Sequence, residues 1–375
     1  MACSHDPTGA LAAQLSPENE FRLANAKHIA IAVPDHTRPT DTVAALNALR
    51  TRLPQTAKIT VVVGLGMHRP LSEREIKPLR DAVDRWELFQ HDPTDVLQRG
   101  HANNVPCTVF RPIADADCIV AVGTIALHQY AGFSGGHKAV AVGCGGTATL
   151  DTLHSRDWVC DPSVQVGRLN NNIFREAVDA LGRKLRCIAS LMQLSDGRWI
   201  WSDTDTVVPK AAAALTPWLP VPQQFDRAVI RVDDTHASNF YQASRAATYL
   251  ALSPNPPLRP GAEIQLVAKC PEGIGSGKGE QAFKDVWERW APEWSDLLTT
   301  KTPPIGAGCQ RAFMLARAMN RYRISVWQTE HPKVLRNFGI EAHREPPPNP
   351  NETLVVDDPF DQLPQCLNSS PLSGS

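Results

Sequence analysis

His28-Ile29-Ala30-Ile31-Ala32-Val33 runs directly into Pro34-Asp35-His36-Thr37-Arg38-Pro39. An apolar, partly β-branched run closed by turn-forming residues reads as a strand and its exit loop. Residues 41–53 follow with helical spacing and Thr40 or Asp41 as the N-cap. The unit recurs outward: strand runs at 59–63 and 118–122, helix patterns at 72–83 and 175–194, with Pro78 expected to kink or interrupt the first. The alternation restarts later, with strands at 228–232, 264–268, 324–327 and 353–356 and helices at 242–252, 280–290 and 307–321. Proline clusters at 209–222, 254–260 and 346–350 read as loops or linkers. The pattern predicts an α/β protein of two α/β domains, residues 1–222 and 223–345, joined near 209–225, with the active site in the cleft between them. Residues 346–375 form a Pro-rich, polar C-terminal segment, loosely ordered beyond Asp358.

The chain of 375 residues balances 38 Lys+Arg against 39 Asp+Glu, and its net charge of -1 leaves no electrostatic footprint for nucleic acid or an anionic membrane. No apolar run approaches the roughly 18 residues that span a bilayer. The polar start lacks the basic and apolar regions of a secretory signal. Nine scattered cysteines without a C-x-x-C pair indicate neither a zinc site nor a disulfide framework. The expectation is a reduced, cytoplasmic protein with no nucleic-acid or membrane partner.

Four segments carry candidate chemistry. Asp35 and Arg38 follow a strand, where open α/β sheets bind ligands, and Arg38 has the fork for a carboxylate or phosphate. Gly64-Leu65-Gly66-Met67-His68 follows another strand and puts a titratable ring at its end, although two glycines without the third are not a dinucleotide fingerprint. The densest stretch is His128-Gln129-Tyr130-Ala131-Gly132-Phe133-Ser134-Gly135-Gly136-His137-Lys138. Its glycines free the backbone to turn N–H groups toward a phosphate, and its lysine offers a charge or a nucleophile. No Walker motif is present: near Lys278 the first required glycine is replaced by Glu272. His154 reads either as a metal ligand or as a lone histidine without clustered ligands.

The strings Asp35-His36-Thr37-Arg38-Pro39, Gly66-Met67-His68-Arg69-Pro70 and His128-x-x-Ala131-Gly132-Phe133-Ser134-Gly135-Gly136-x-Lys138 resemble the nickel-dependent lactate racemase family, from about residue 27 to the mid-350s. The resemblance implies a nickel-pincer nucleotide, a pyridinium-3-thioamide-5-thiocarboxylic acid mononucleotide that holds nickel through two sulfurs and a ring carbon. By position Lys138 is its covalent tether and His154 the nickel ligand, with Asp35, Gly135 and Gly136 against the cofactor. His68 and His128 become the two acid–base groups, and Arg38 holds the substrate carboxylate. The implied reaction inverts C2 of a 2-hydroxy acid: one histidine takes the hydroxyl proton, the α-hydrogen leaves as hydride, and the planar oxo acid is reduced on its other face. Cofactor-biosynthesis proteins are implied partners.

The departures bear on substrate. Ser238-Asn239-Phe240-Tyr241-Gln242-Ala243-Ser244-Arg245 resembles the family helix that offers a glutamine and a lysine, but Arg245 stands in the lysine position, which is not a neutral exchange. Gln310 occupies the place where lactate-specific members carry tryptophan, and His137 precedes Lys138. Together these predict a wider or more polar pocket than lactate needs, suited to a second carboxylate or to hydroxyls. The competing readings are a nicotinamide-dependent dehydrogenase, disfavoured by the missing G-x-G-x-x-G, and a catalytically silent nucleotide- or metal-binding homologue.

Overall fold

The computed structural model describes residues 3–290, 293–348 and 352–367. The first sheet has six strands: β1 (His28–Pro34), β2 (Lys58–Gly64), β3 (Glu87–Gln90), β4 (Cys118–Ile125), β5 (Cys187–Leu194) and β6 (Trp199–Asp203), in the order β6-β5-β4-β1-β2-β3. All neighbours are parallel except β6, which runs antiparallel to β5. In β1 Ile29 through Val33 are all buried, the continuous apolar run of a parallel strand covered on both faces. Strand order reverses between β1 and β4, so the loops leaving their carboxyl ends border the topological switch point.

Local chemistry sets the helix starts. Asp41 accepts from Ala44 N at 2.9 Å and caps the helix Thr42–Arg52. Ser72 and Glu75 form a reciprocal capping box for Glu73–Val83. That helix continues through Pro78 without the expected interruption. The box and the buried Ile76, Leu79 and Val83 outweigh the one backbone hydrogen bond that proline removes.

The second sheet is wholly parallel, with β7 (Phe225–Arg231), β8 (Leu258–Val267), β9 (Arg323–Trp327), β10 (Glu341–Ala342) and β11 (Leu354–Val356) in the order β10-β9-β8-β7-β11. Helix Phe240–Ala251 follows β7, capped by Asn239.

Three expectations are corrected. Residues 175–194 are a helix, Ile173–Lys184, followed by β5; a fully buried strand is a continuous apolar run that periodicity cannot separate from a buried helix. The proline-rich 209–222 stretch is not a linker: helix Thr204–Ala214 carries Pro209 inside it, and strand Trp218–Val221 follows. The C-terminal segment is ordered beyond Asp358, since Leu363–Cys366 pairs in parallel with Trp218–Val221 and buries Leu363 and Cys366. Residues 368–375 and part of the 346–350 cluster lie outside the described residues.

The backbone divides into two compact units that interleave in sequence. One comprises Met1–Ala126, Phe133–Leu153 and Asn171–Leu215; the other Leu127–Gly132, His154–Asn170 and Thr216–Ser375. The expected single boundary at 222 gives way to several crossings. Residues 127–132 join the second unit through Tyr249 Oη, which donates to Leu127 O, and Thr248 Oγ1, which donates to Gln129. Residues 154–170 join it through Arg156, which donates to Thr300 O, and Arg317, which donates to Val159 O.

Candidate active site

In the first unit the loops after β1 and β2 bring Asp35 to His68. Asp35 is 5% exposed, and its Oδ1 accepts from Thr37 N at 3.0 Å and from Thr37 Oγ1. Its Oδ2 lies 2.5 Å from His68 Nδ1. Burial pushes the Asp35 carboxyl up, but the hydrogen bond and charge of His68, the Thr37 hydroxyl and Arg38 together pull it down to about 2. An ionised carboxylate can only accept, so Nδ1 of His68 carries the ring proton and Nε2 is the basic nitrogen. His68 is half exposed, and Arg38 is exposed.

The link between Asp35 and His68 gives a two-part prediction. The depressed carboxyl contributes stability that is complete above its unfolded value near 4 and is lost as the pH falls through about 2, amounting to about 2 kcal/mol. Asp35→Asn is therefore expected to flatten the stability profile between pH 4 and 2, read by denaturant titration. It should also lower kcat with little change in KM, because the ring loses the partner that fixes its tautomer.

Lys138 opens the short helix Lys138–Ala141 and is partly accessible. Gly135 and Gly136 before it have φ of 80° and 59°; a Cβ there would come within 2.8 Å of Ile125 and 2.9 Å of Val208, so the turn needs glycine on both counts. The loops of His68 and Lys138 are tied backbone to backbone: Gly66 N donates to Gly143 O at 3.0 Å, and a Cβ on Gly64 would lie 3.1 Å from the Gly143 carbonyl carbon.

His137 does not widen a pocket. It is fully buried against helix Ile173–Lys184, with Nε2 3.0 Å from Asp205 Oδ1, an oxygen that also accepts from Arg183 Nε at 2.6 Å. The His137 hydrogen bond first, against burial and with help from Arg183, holds the Asp205 carboxyl well below the usual range. A Cβ on Gly182 would stand 2.3 Å from His137 Nδ1. Helix propensity alone favours Gly182→Ala by about 1 kcal/mol. Overpacking costs roughly 1–3 kcal/mol and acts on a ring with no room to move. The variant is expected to melt at a lower temperature than the parent.

In the second unit His128 Nδ1 accepts from Tyr130 N at 3.2 Å and Ala131 N at 3.1 Å. Backbone N–H groups can only donate, so Nδ1 is bare and the ring proton of this tautomer sits on Nε2. His128 presents a donor where His68 presents an acceptor. His154 is 9% exposed, its ring edge-on to Tyr130 at 5.8 Å. Gln242 and Arg245 lie in the first two turns of helix Phe240–Ala251, with Arg245 Nη1 3.5 Å from Gln242 Oε1. Gln310 is buried, and its amide oxygen turns back to accept from Gly308 N at 2.9 Å.

Two residues of this unit escaped the sequence reading. Arg311 is buried and donates to Gln129 Oε1 at 3.1 Å, and Tyr241 lies beneath its guanidinium. The available signal was an arginine in the first turn of the largely apolar helix Cys309–Met319, which carries one other, Arg317. Among the described residues no helix is long and apolar enough to cross a membrane.

Comparison with known proteins bears on family likeness and fold. Residues 10–167 match the model of the lactate racemase N-terminal domain. The lactate racemase of Lactiplantibacillus plantarum is 34% identical over 170 residues, 42% of this chain and 40% of the relative. That of Thermoanaerobacterium thermosaccharolyticum is 27% identical over 164 residues, 41% and 38% of the two chains. The chain thus spans about two fifths of the length of the curated relatives it matches. In fold it is similar to the lactate racemase apoprotein of T. thermosaccharolyticum, with a TM-score of 0.81 at 17% identity, covering 96% of this chain and 93% of that one. A Thermotoga maritima protein aligns at a TM-score of 0.64 and 15% identity, covering 96% and 97%. Residues 10–167 are thus similar in sequence to the N-terminal domain of lactate racemases, and the fold as a whole is similar to that of a lactate racemase apoprotein.

Proposed function

We propose that this protein is an isomerase that inverts C2 of a 2-hydroxycarboxylic acid, using a nickel-pincer nucleotide tethered to Lys138. The observation that carries the reading is the complementary state of two histidines: His68 with a basic Nε2 backed by Asp35, and His128 with its proton on Nε2. Inversion with acid–base help on each face needs one group ready to take the hydroxyl proton and another ready to give one.

The donors present fit such a cofactor. Among the described residues no three His, Cys, Asp or Glu side chains gather to hold a metal, so a nickel ion would need most of its ligands from the cofactor itself. His154, buried and steadied by Tyr130, supplies the single ring nitrogen that remains to be found. Lys138 is an accessible amine at a rigid glycine turn, and Gly135 and Gly136 let the backbone lie close beside it.

When bound, such a cofactor would supply a reversible hydride acceptor for the α-hydrogen. The chain does the rest. Arg38 forks onto the substrate carboxylate. His68 Nε2 takes the hydroxyl proton, and Asp35 stabilises the resulting imidazolium. His128 Nε2–H donates toward the oxygen for delivery to the other face. Gln242 and Arg245 are further candidates for holding the substrate, and Gln310 braces the helix start that carries Arg311.

The test is chiral chromatography of enantiopure lactate and malate after incubation with protein purified from a host that makes the cofactor. Formation of the opposite enantiomer supports the reading. Reduction of nicotinamide cofactors by these acids, with no inversion, would replace it with the dehydrogenase reading.

A further inference from the structure

Residues 127–132, the turn that carries His128, are held at both ends and in the middle by groups of their own unit. At one end Tyr249 Oη donates to Leu127 O at 3.2 Å, and at the other Gly167 N donates to Gly132 O at 2.8 Å. In the middle Gln129 is 5% exposed, and its amide oxygen accepts from Arg311 Nη1 at 3.1 Å. The Thr248 hydroxyl lies 3.3 Å from the same oxygen and 3.0 Å from Arg245 O, and its single proton serves one of them at a time. Arg311 is therefore the constant donor to Gln129.

For stability alone an arginine is a poor choice there. Arg311 is 4% exposed in the first turn of helix Cys309–Met319, and among the described residues its Nε is buried without a partner. Burying a cation is costly, and a well-packed apolar side chain of similar volume usually gives a more stable core. What a charged donor adds is a stronger hydrogen bond, and so a more firmly fixed acceptor. The fixed acceptor is the side chain that follows His128 directly. The peptide after Gln129 supplies Tyr130 N–H, which donates to His128 Nδ1 at 3.2 Å beside Ala131 N–H at 3.1 Å. Holding Gln129 holds the plane of that peptide, and with it the direction of its N–H.

We propose that Arg311 and Gln129 are positioning residues for His128: the guanidinium, acting through the Gln129 amide, holds in place the backbone N–H groups that keep the His128 proton on Nε2. The proposal rests on the racemase reading, in which that proton is the one His128 delivers, and adds the residues that keep it there. Neither residue is asked to touch substrate or cofactor. Once the clamp is released, the two N–H donors drift from Nδ1. The ring is then free to carry its proton on either nitrogen, and part of the population presents a bare Nε2 where a donor is needed. Displacing a reacting group by about 1 Å costs up to ~10²-fold in rate.

The experiment has one arm that does not depend on turnover. In protein isotope-labelled at its histidine ring nitrogens, NMR reports which nitrogen of His128 is protonated, and His128→Gln identifies the signals by their loss. Gln129→Ala and Arg311→Met are expected to turn the parent pattern, with Nδ1 bare, into a mixture of tautomers. Gln129→Glu, which keeps an acceptor oxygen for Arg311, should retain the parent pattern. In the cofactor-loaded protein Gln129→Ala should lower kcat ~10–10²-fold with KM within about twofold. Arg311→Met should then add nothing in the Gln129→Ala background, because it acts through that side chain. The parent pattern persisting in either Gln129→Ala or Arg311→Met would overturn the proposal. So would additive losses of kcat, the mark of an arginine that only supports the fold, or a mixture of tautomers in Gln129→Glu as well. If Arg311→Met folds poorly, the contrast of Gln129→Ala with Gln129→Glu decides the matter alone. A clamp-dependent tautomer in a protein that inverts no hydroxy acid would sink the racemase reading and leave the clamp standing.

Discussion

His68→Gln is expected to cut racemisation roughly 10²–10⁴-fold while the protein still loads its cofactor. The glutamine amide keeps polar bulk at the end of β2 but cannot accept a proton near neutral pH. Asp35, left ionised beside it, has no imidazolium to stabilise. His128→Gln should cause a loss of similar size, since it removes the group whose Nδ1 is held by two backbone N–H donors. The double variant should be little worse than either single one, because groups that act as a unit are far from additive. Nickel content and intact mass, measured alongside the rates, separate a lost proton carrier from a lost cofactor.

Lys138→Ala is expected to remove the covalent adduct entirely, and the bound nickel with it. The side chain sits at the start of a short helix whose preceding turn is fixed by Gly135 and Gly136, and alanine there has no amine to carry the adduct. The variant should fold normally, because Lys138 is partly accessible and the core beneath it is carried by Val140 and Ala141. Intact-mass spectrometry against the parent protein from the same host reads the result. An adduct that persists in the variant would move the tether elsewhere.

The parts legible in sequence were those whose physics is local. The run from His28 to Val33 reads as a strand, and Thr40 or Asp41 as the cap of the helix that follows; the structure has the strand and uses Asp41. The pattern of loops at strand ends puts Asp35, Arg38 and His68 on one α/β domain, and the structure holds all three in one unit. What sequence could not supply was long-range. The strand Cys187–Leu194 reads like a continuation of its preceding helix until Trp199–Asp203 pairs with it. His128 and His154 belong to the second unit because Leu127, Gln129 and Val159 bond to side chains more than a hundred residues away. The bond from Asp35 to His68, thirty-three positions along the chain, has no local signal in either segment. His137 resembled a pocket residue because it adjoins Lys138, whereas burial against Gly182 and Asp205 makes it a structural anchor.

The likeness to lactate racemases and the complementary states of His68 and His128 support the central proposal, that inversion proceeds by moving the α-hydrogen as hydride and returning it to the opposite face. Its most direct test uses an enantiopure 2-hydroxy acid deuterated at C2, incubated with the loaded protein in ordinary water and separated by chiral chromatography with mass detection. Hydride transfer predicts that the opposite enantiomer appears with its deuterium retained. Inversion with deuterium lost to water would contradict the hydride step, and no opposite enantiomer from either malate or lactate would contradict the racemase account altogether.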